Sequence, residues 1–402
     1  MGIELDDLKL HFAEWLYLKD HEVIDIILGA TVANQFQGPD SINVNIVGPP
    51  SSTKTELLRT LSGYQPIYTI STLTPQTLIS GMKGTRGSLL LNLKSDGKKI
   101  LIIKDLTSIL EMRSESRQEI FGQIREIADG YLSKTFGTGK RVEWSGKLGI
   151  ITGVTSIIDE HHGHNEILGA RCLYCRVSNE NPKAMAERAR KMAGKEIRMR
   201  EQLQEVTKQF LEQFKEPKIE NIRISEEIEK KLISLACFVA QGRTGISRDR
   251  FHKTVEYIPE AEGPARLTKQ LWVLGAGIAT VQGKDELDDG VYRTLKRVAM
   301  NSLPKHREVI LKTMWETTIM SSIWETTKSI GKLINAPTET TKRYLEDLWM
   351  LNLLNRKIEG EDSEEDDGWK RSRTPYGWQL SESCISLIEE SEIYLNETPN
   401  SN

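Results

Sequence analysis

The chain has 402 residues, 38% of them hydrophobic and 28% charged, with a formal net charge of −3. That length holds two or three domains with substantial cores, and the near-neutral balance neither supports nor excludes nucleic acid. Four cysteines make no disulfide framework, no apolar run approaches the roughly 20 residues of a membrane span, and the acidic start Met1-Gly2-Ile3-Glu4-Leu5-Asp6-Asp7 is unlike a signal, so the expected place is the cytoplasm, with no membrane partner.

Residues 4–36 carry apolar positions at helical spacing (Leu8, Phe12, Trp15, Leu16; Val23, Ile24, Ile27, Leu28) and predict two helices. Gly38-Pro39-Asp40 then marks a turn before the run Ile42 to Val47, a strand. It leads into Gly48-Pro49-Pro50-Ser51-Ser52-Thr53-Lys54-Thr55, and the helix Glu56 to Leu61 follows. The spacing G-x-x-x-x-G-K-[ST] cradles phosphates: backbone N–H groups wrap the anion, Lys reaches the β/γ oxygens, and the hydroxyl holds Mg²⁺. Gly48, Lys54 and Thr55 fit, whereas Thr53 takes the place of the second glycine.

A β-rich run, Tyr68 to Thr72, precedes Lys98-Lys99-Ile100-Leu101-Ile102-Ile103-Lys104-Asp105, a buried strand ending in an acid. In P-loop ATPases that acid serves Mg²⁺ and a Glu commonly follows it, but here Leu106 follows. Two registers stay open. Asp105 is the metal-side acid with its base elsewhere (Glu111 and Glu126 are candidates), or Asp105 is the base with Lys104 in the metal-side place; repulsion between Lys and Mg²⁺ favours the first.

Glu115 to Ile127 has helical spacing. Ser133 to Trp144 alternates around Gly137-Thr138-Gly139, a hairpin signal, with Lys134, Lys140 and Arg141 able to meet a phosphate backbone or simply solvent. Lys147 to Thr155 is another buried strand whose Thr152 and Thr155 can orient water or sense a phosphate, and Cys172 to Val177 is the last strand of the set. His161, His162, His164, Cys172 and Cys175 do not make a zinc site, because two cysteines three apart in a strand face opposite ways. A long charged helix is expected from Pro182 to Phe214, ended by Pro217, then a helical block around Leu232. Another helix opens at Gly263-Pro264-Ala265-Arg266, where a cation opposes the helix dipole and so calls for a partner such as phosphate.

The C-terminal part reads as helix, turn (Asn335-Ala336-Pro337), helix (Thr338 to Trp349) and a two-stranded ribbon, the pattern of a winged helix. Thr338, Thr340, Thr341, Lys342 and Arg343 would face DNA, with Lys370, Arg371 and Arg373 on the wing; many winged helices bind protein instead, and the acidic wing loop, Glu359 to Asp367, would repel phosphate, so both partners stay open. Residues after about 390 read as a polar, disordered end.

In this order the motifs resemble an AAA+ ATPase, and more narrowly the minichromosome-maintenance-like helicases of phages and mobile elements. The carriers are G-P-P-S-S-T-K-T (48–55), I-L-I-I-K-D (100–105), G-T-G-K-R-V-E-W (137–144), G-I-I-T-G-V-T (149–155), L-G-A-R (168–171), G-P-A-R-L (263–267) and the winged helix. The resemblance implies an α/β fold, a P-loop AAA+ domain of parallel sheet flanked by helices, with an α-helical lid and a C-terminal winged helix. It sets boundaries at 1–37 (helical segment), 38–215 (ATPase core), 216–302 (lid), 303–385 (winged helix) and 386–402 (polar tail). It implies ATP and Mg²⁺ at Gly48, Pro49, Pro50, Ser51, Ser52, Thr53, Lys54 and Thr55, with Asp105 serving the metal and Thr152 or Thr155 as first sensor. Arg171 is similar to a finger reaching a neighbour's γ-phosphate, Arg266 to a second sensor, and Lys140 with Arg141 to a DNA-tracking hairpin. A finger in trans implies a ring, six subunits by the resemblance, acting on DNA with other replication proteins. Thr53 and Leu106 depart from the pattern and bear on hydrolysis rate. The expected function is therefore a DNA motor or helicase; the alternative is an ATP-binding initiator, loader or regulator with slow hydrolysis.

Overall fold

The computed structural model describes residues 2–81, 88–160, 171–177, 181–249, 255, 260–321, 324–358 and 376–394. Among the described residues of the first half there are seven strands: β1 Val44–Val47, β2 Ile67–Ile70, β3 Ile100–Ile103, β4 Tyr131–Thr135, β5 Arg141–Ser145, β6 Gly149–Val154 and β7 Leu173–Arg176. Five of them form one parallel sheet in the order β2-β3-β6-β1-β7. Every residue of β1, β3 and β6 is buried, which is why these strands read as unbroken apolar runs rather than alternating ones. Ile100, Leu101, Ile102 and Ile103 are each fully buried; such side chains stabilise a fold by about 1.5–3 kcal/mol apiece.

Three asparagines set the register of the central strands. Asn34, at the end of the helix Glu22–Ala33, accepts from Ile42 N–H at 2.9 Å and donates to Ile42 O at 2.9 Å, fixing where β1 begins. Asn43 accepts from Ile150 N–H at 2.9 Å, and Asn45 accepts from the Thr152 hydroxyl at 2.7 Å. β6 lies between β1 and β3, so the carboxyl ends of these three strands emerge side by side. β4 and β5 stand apart as an antiparallel hairpin, Lys134 opposite Val142 and Thr135 opposite Arg141, turning through Gly139 at φ +77°.

The described residues fall into two compact units: one takes those of 1–161, 171–225 and 269–298, the other those of 226–268 and 299–402. The stretch expected as a single lid, 216–302, is thus divided. In the first unit the helix Ala265–Val281 meets Glu22–Ala33 at its Gly277, where an added Cβ would lie 2.2 Å from Gly29 O. Two small residues let the helices touch backbone to backbone. The charged helix expected from Pro182 to Phe214 is two, Pro182–Met192 and Glu196–Leu211, because Gly194 takes φ +83° between them.

In the second unit the helices Thr327–Leu333 and Thr338–Met350 are joined by a turn with Asn335 at φ +53°, and the strands Leu354–Ile358 and Tyr376–Leu380 pair antiparallel, with Glu325–Thr326 on the outer side of the latter. Trp378 is fully buried and donates to the Thr327 hydroxyl at 2.8 Å. The chain continues as a helix, Glu382–Ser391, capped by Ser381. This corrects the expected polar tail from 386, since Ile388 and Ile393 are buried and Glu390 accepts from the Ser234 hydroxyl at 2.6 Å. Among the described residues, no helix is long and apolar enough to cross a membrane.

Candidate functional site

The loop after β1 is seated between the ends of its two neighbouring strands. Gly48 N–H donates to Val154 O on β6 at 3.1 Å, and Val177 N–H, beyond β7, donates to Val47 O at 2.8 Å. A Cβ on Gly48 would lie 2.8 Å from Ser52 Oγ and 3.0 Å from Val177 O, so only glycine leaves the loop room to close. Lys54 is folded inward: its Nζ donates to Gly48 O and Pro49 O, both at 2.6 Å, and to Ser52 Oγ at 3.0 Å. Burial pushes its pKa below the ordinary lysine value, and the nearby Asp105 carboxylate opposes that shift. Pro49, Pro50, Ser51 and Thr55 are exposed, while Ser52 is buried.

Ser51 and Thr53 both adopt left-handed backbone, at φ +62° and +63°. Thr53 thus sits in backbone that glycine adopts freely, at a cost of about 1–2 kcal/mol for an L-residue. Its carbonyl accepts from Leu57 N–H at 3.0 Å, opening the helix Lys54–Thr60.

Across the sheet, Asp105 leaves β3 with an exposed carboxylate that accepts from Thr107 N–H at 2.9 Å. Leu106 is buried and its N–H donates to Gly153 O at 2.8 Å, so the position after the acid belongs to the core. The Thr107 hydroxyl accepts from Thr155 N–H at 3.1 Å and donates to Thr155 Oγ1 at 3.3 Å. Thr152 is buried, with its hydroxyl committed to Asn45, whereas Thr155 is half-buried at the end of β6. Of the two candidate sensors, Thr155 is the accessible one. Lys54, Asp105 and Thr155 thus gather at the carboxyl edge of the sheet, and the Thr55 hydroxyl and Asp105 carboxylate are hard oxygen donors of the kind Mg²⁺ takes.

No family model matches the chain, and no curated protein matches it. Among solved structures it is similar to the "putative ATPase" from Cytophaga hutchinsonii, with a TM-score of 0.43 and 12% identity over 74% of this chain and 85% of that one.

The remaining expected residues are scattered. Arg171 holds Asp129 through two hydrogen bonds, Nε to Oδ1 at 3.2 Å and Nη2 to Oδ2 at 2.9 Å. Arg266 is exposed at the second position of its helix, in the unit that does not contain the sheet. On the hairpin Lys134 pairs with Glu119 at 2.5 Å and Arg141 with Glu143 at 2.5 Å, so two of the three expected DNA-facing cations are engaged with carboxylates; Lys140 is half-buried in the turn. Glu111 is exposed just after the helix Thr107–Leu110, and Glu126 lies 3.9 Å from Arg125.

On Thr338–Met350, Thr340 and Lys342 are half-buried and Arg343 is exposed. Thr341 is corrected to a core residue: fully buried, its hydroxyl donates to Pro337 O at 3.0 Å. Lys342 sits 5.4 Å from the Tyr376 ring centre, and Arg356 3.8 Å from that of Trp349. Lys370, Arg371, Arg373, His161, His162 and His164 lie outside the described residues. Cys172 and Cys175 are buried, the thiol of Cys175 pushed up to about 12 by burial, and no group of three metal-ligating side chains occurs among the described residues. Sequence reading missed Thr107, Asn45 and Asp129, of which only Thr107, two residues after the acid, carried any local signal.

Proposed function

We propose that the chain is an ATPase that binds ATP with Mg²⁺ at residues 48–55 and works as a DNA motor of the AAA+ class, resembling minichromosome-maintenance-like helicases of mobile elements. The observation that carries the reading is the convergence of Lys54, Asp105 and Thr155 on one edge of a parallel sheet, from three adjacent strands. Phosphate oxygens would replace Gly48 O, Pro49 O and Ser52 Oγ as partners of the Lys54 ammonium, opening the loop. Thr55 and Asp105 would hold Mg²⁺, which when bound neutralises charge on the β/γ oxygens. Thr155 would donate its hydroxyl proton toward the γ-phosphate or the attacking water. Arg171 acts in trans from a neighbouring subunit in a ring, Arg266 serves as second sensor, and the hairpin with Lys134, Lys140 and Arg141 follows the DNA backbone. Lys342, Arg343 and the wing Lys370, Arg371 and Arg373 make a further DNA surface.

A second reading, an ATP-dependent switch with slow turnover, is favoured by one observation: Arg171, Lys134 and Arg141 are all paired with carboxylates of their own chain. Steady-state ATPase measured against single-stranded and duplex DNA separates the two. The motor reading expects turnover that DNA raises and that both Lys54→Ala and Arg171→Ala abolish. Turnover that DNA leaves unchanged sinks the motor, and full activity of Arg171→Ala removes the ring.

A further inference from the structure

Two hydrogen bonds of the Thr107 side chain reach across 48 positions of sequence to the end of β6. The main-chain bond from Thr107 N–H to Asp105 Oδ1 can be made by nearly any residue at 107, and by itself it is only a local turn. The hydroxyl bonds need Ser or Thr. By accepting from Thr155 N–H and donating to Thr155 Oγ1, the Thr107 hydroxyl fills one acceptor site of the Thr155 hydroxyl and leaves that group's own proton to point elsewhere. The main-chain bond likewise takes up one oxygen of Asp105 and leaves the other open. Leu106, anchored in the core and bonded to Gly153 O at 2.8 Å, keeps the segment from sliding along the sheet. The methyl group of Thr107 stiffens its χ1, so the hydroxyl is aimed rather than free to turn.

We infer that Thr107 is a positioning residue that fixes the Asp105 carboxylate relative to the Thr155 hydroxyl, so that the metal-side acid and the phosphate-side hydroxyl act as one unit. The inference rests on the ATPase reading above. It also accounts for the apolar residue after the acid: with Leu106 in the core, Thr107 is the next residue available to join the two strand ends.

The test is Thr107→Val, which keeps the shape and χ1 preference and removes the hydroxyl, beside Thr107→Ser, which keeps the hydroxyl. ATP binding is read with a fluorescent ATP analogue and turnover by steady-state assay. For Thr107→Val we expect kcat to fall about 10- to 100-fold, the effect of a small misplacement of reacting groups, with analogue affinity and KM within about threefold. Thr107→Ser should stay within about threefold of the parent in every parameter. Thr107→Val with parental kcat overturns the inference, and so does Thr107→Ser as impaired as Val. Should Val fail to fold, the Ser comparison is made against Thr107→Ala, with the same outcomes deciding. A parent protein that binds the analogue no better than Lys54→Ala overturns the ATPase reading and this inference with it; a parent that turns over, beside an equally active Thr107→Val, overturns the inference alone.

Discussion

Arg171 and Asp129 are locked in a two-bond ion pair within one chain, with the arginine side chain 16% exposed and the aspartate 43%. The main chain of Arg171 is anchored separately, its carbonyl accepting from Asn43 Nδ2 at 3.2 Å and Gln270 Nε2 at 2.9 Å. Asp129 ends the helix Ser114–Ala128 and is followed by Gly130 and the hairpin strand β4. An arginine that must reach a neighbour's phosphate has first to leave this pair. A partly exposed bidentate pair is worth about 1 kcal/mol, or about fivefold in an equilibrium. On the proposed motor reading, Asp129→Asn should therefore raise DNA-independent ATPase about 3- to 10-fold while leaving the DNA-stimulated rate little changed. Reduced thermal stability with no gain in turnover would mark the pair as structural only.

Thr53 is the residue whose backbone and side chain disagree. Its φ of +63° is glycine's territory, and a β-branched residue is among the least suited to it. Thr53→Gly relieves about 1–2 kcal/mol of strain and loses about 0.5–1 kcal/mol to added freedom of the unfolded chain, a small net gain. A rise in Tm of about 1–3 °C is expected in the absence of nucleotide. If the strain also limits loop opening, ATP turnover rises with it, and a variant faster than the parent would identify Thr53 as a brake on hydrolysis. A lower Tm would show that the Thr53 side chain supports the loop.

The parallel sheet was legible because β1, β3 and β6 are buried on both faces and so announce themselves as apolar runs, and because Gly48, Lys54 and Asp105 sit where those runs stop. Their spatial order was not, since nothing in sequence says that β6 separates β1 from β3. Pairings across long separations were equally hidden: Arg171 with Asp129, or Thr107 with Thr155, join residues whose types alone suggest a dozen partners. The split of the charged helix at Gly194 and the burial of Thr341 were missed for a simpler reason. Charge and hydroxyl patterns report average solvent exposure, while one positive φ or one tight turn decides the local outcome.

The touching helices at Gly29 and Gly277 give a stability prediction independent of function. A methyl group on Gly277 would stand 2.2 Å from Gly29 O and 2.9 Å from the Ala33 Cβ, and the first of these neighbours is main chain that cannot rotate away. Gly277→Ala should cost about 1–3 kcal/mol despite the better helix propensity of alanine. Chemical denaturation of the two proteins checks it, with the midpoint shifted down and the slope unchanged. An alanine variant as stable as the parent would mean the helices slide apart without penalty.

His306 supplies a pH dependence whose sign can be worked out. Its ring stacks on Tyr344 at 4.1 Å, and burial, with the nearby Arg307 guanidinium, pushes its pKa down to about 4 from an ordinary 6.5. The folded state thus keeps the ring neutral where the unfolded chain would charge it. The stability this represents is complete above pH 6.5, declines as the pH falls toward 4, and changes no further below that. Asp347, 3.8 Å from Arg307, works the other way, since burial raises its pKa and protonation in acid favours the folded form. Comparing His306→Gln with the parent isolates the imidazole from that opposing carboxylate. Between pH 7 and pH 4.5 the parent should lose on the order of 1–3 kcal/mol more than the glutamine variant. Thermal melts of both proteins across that range make the measurement, and parallel curves would mean that His306 is protonated in the fold without cost.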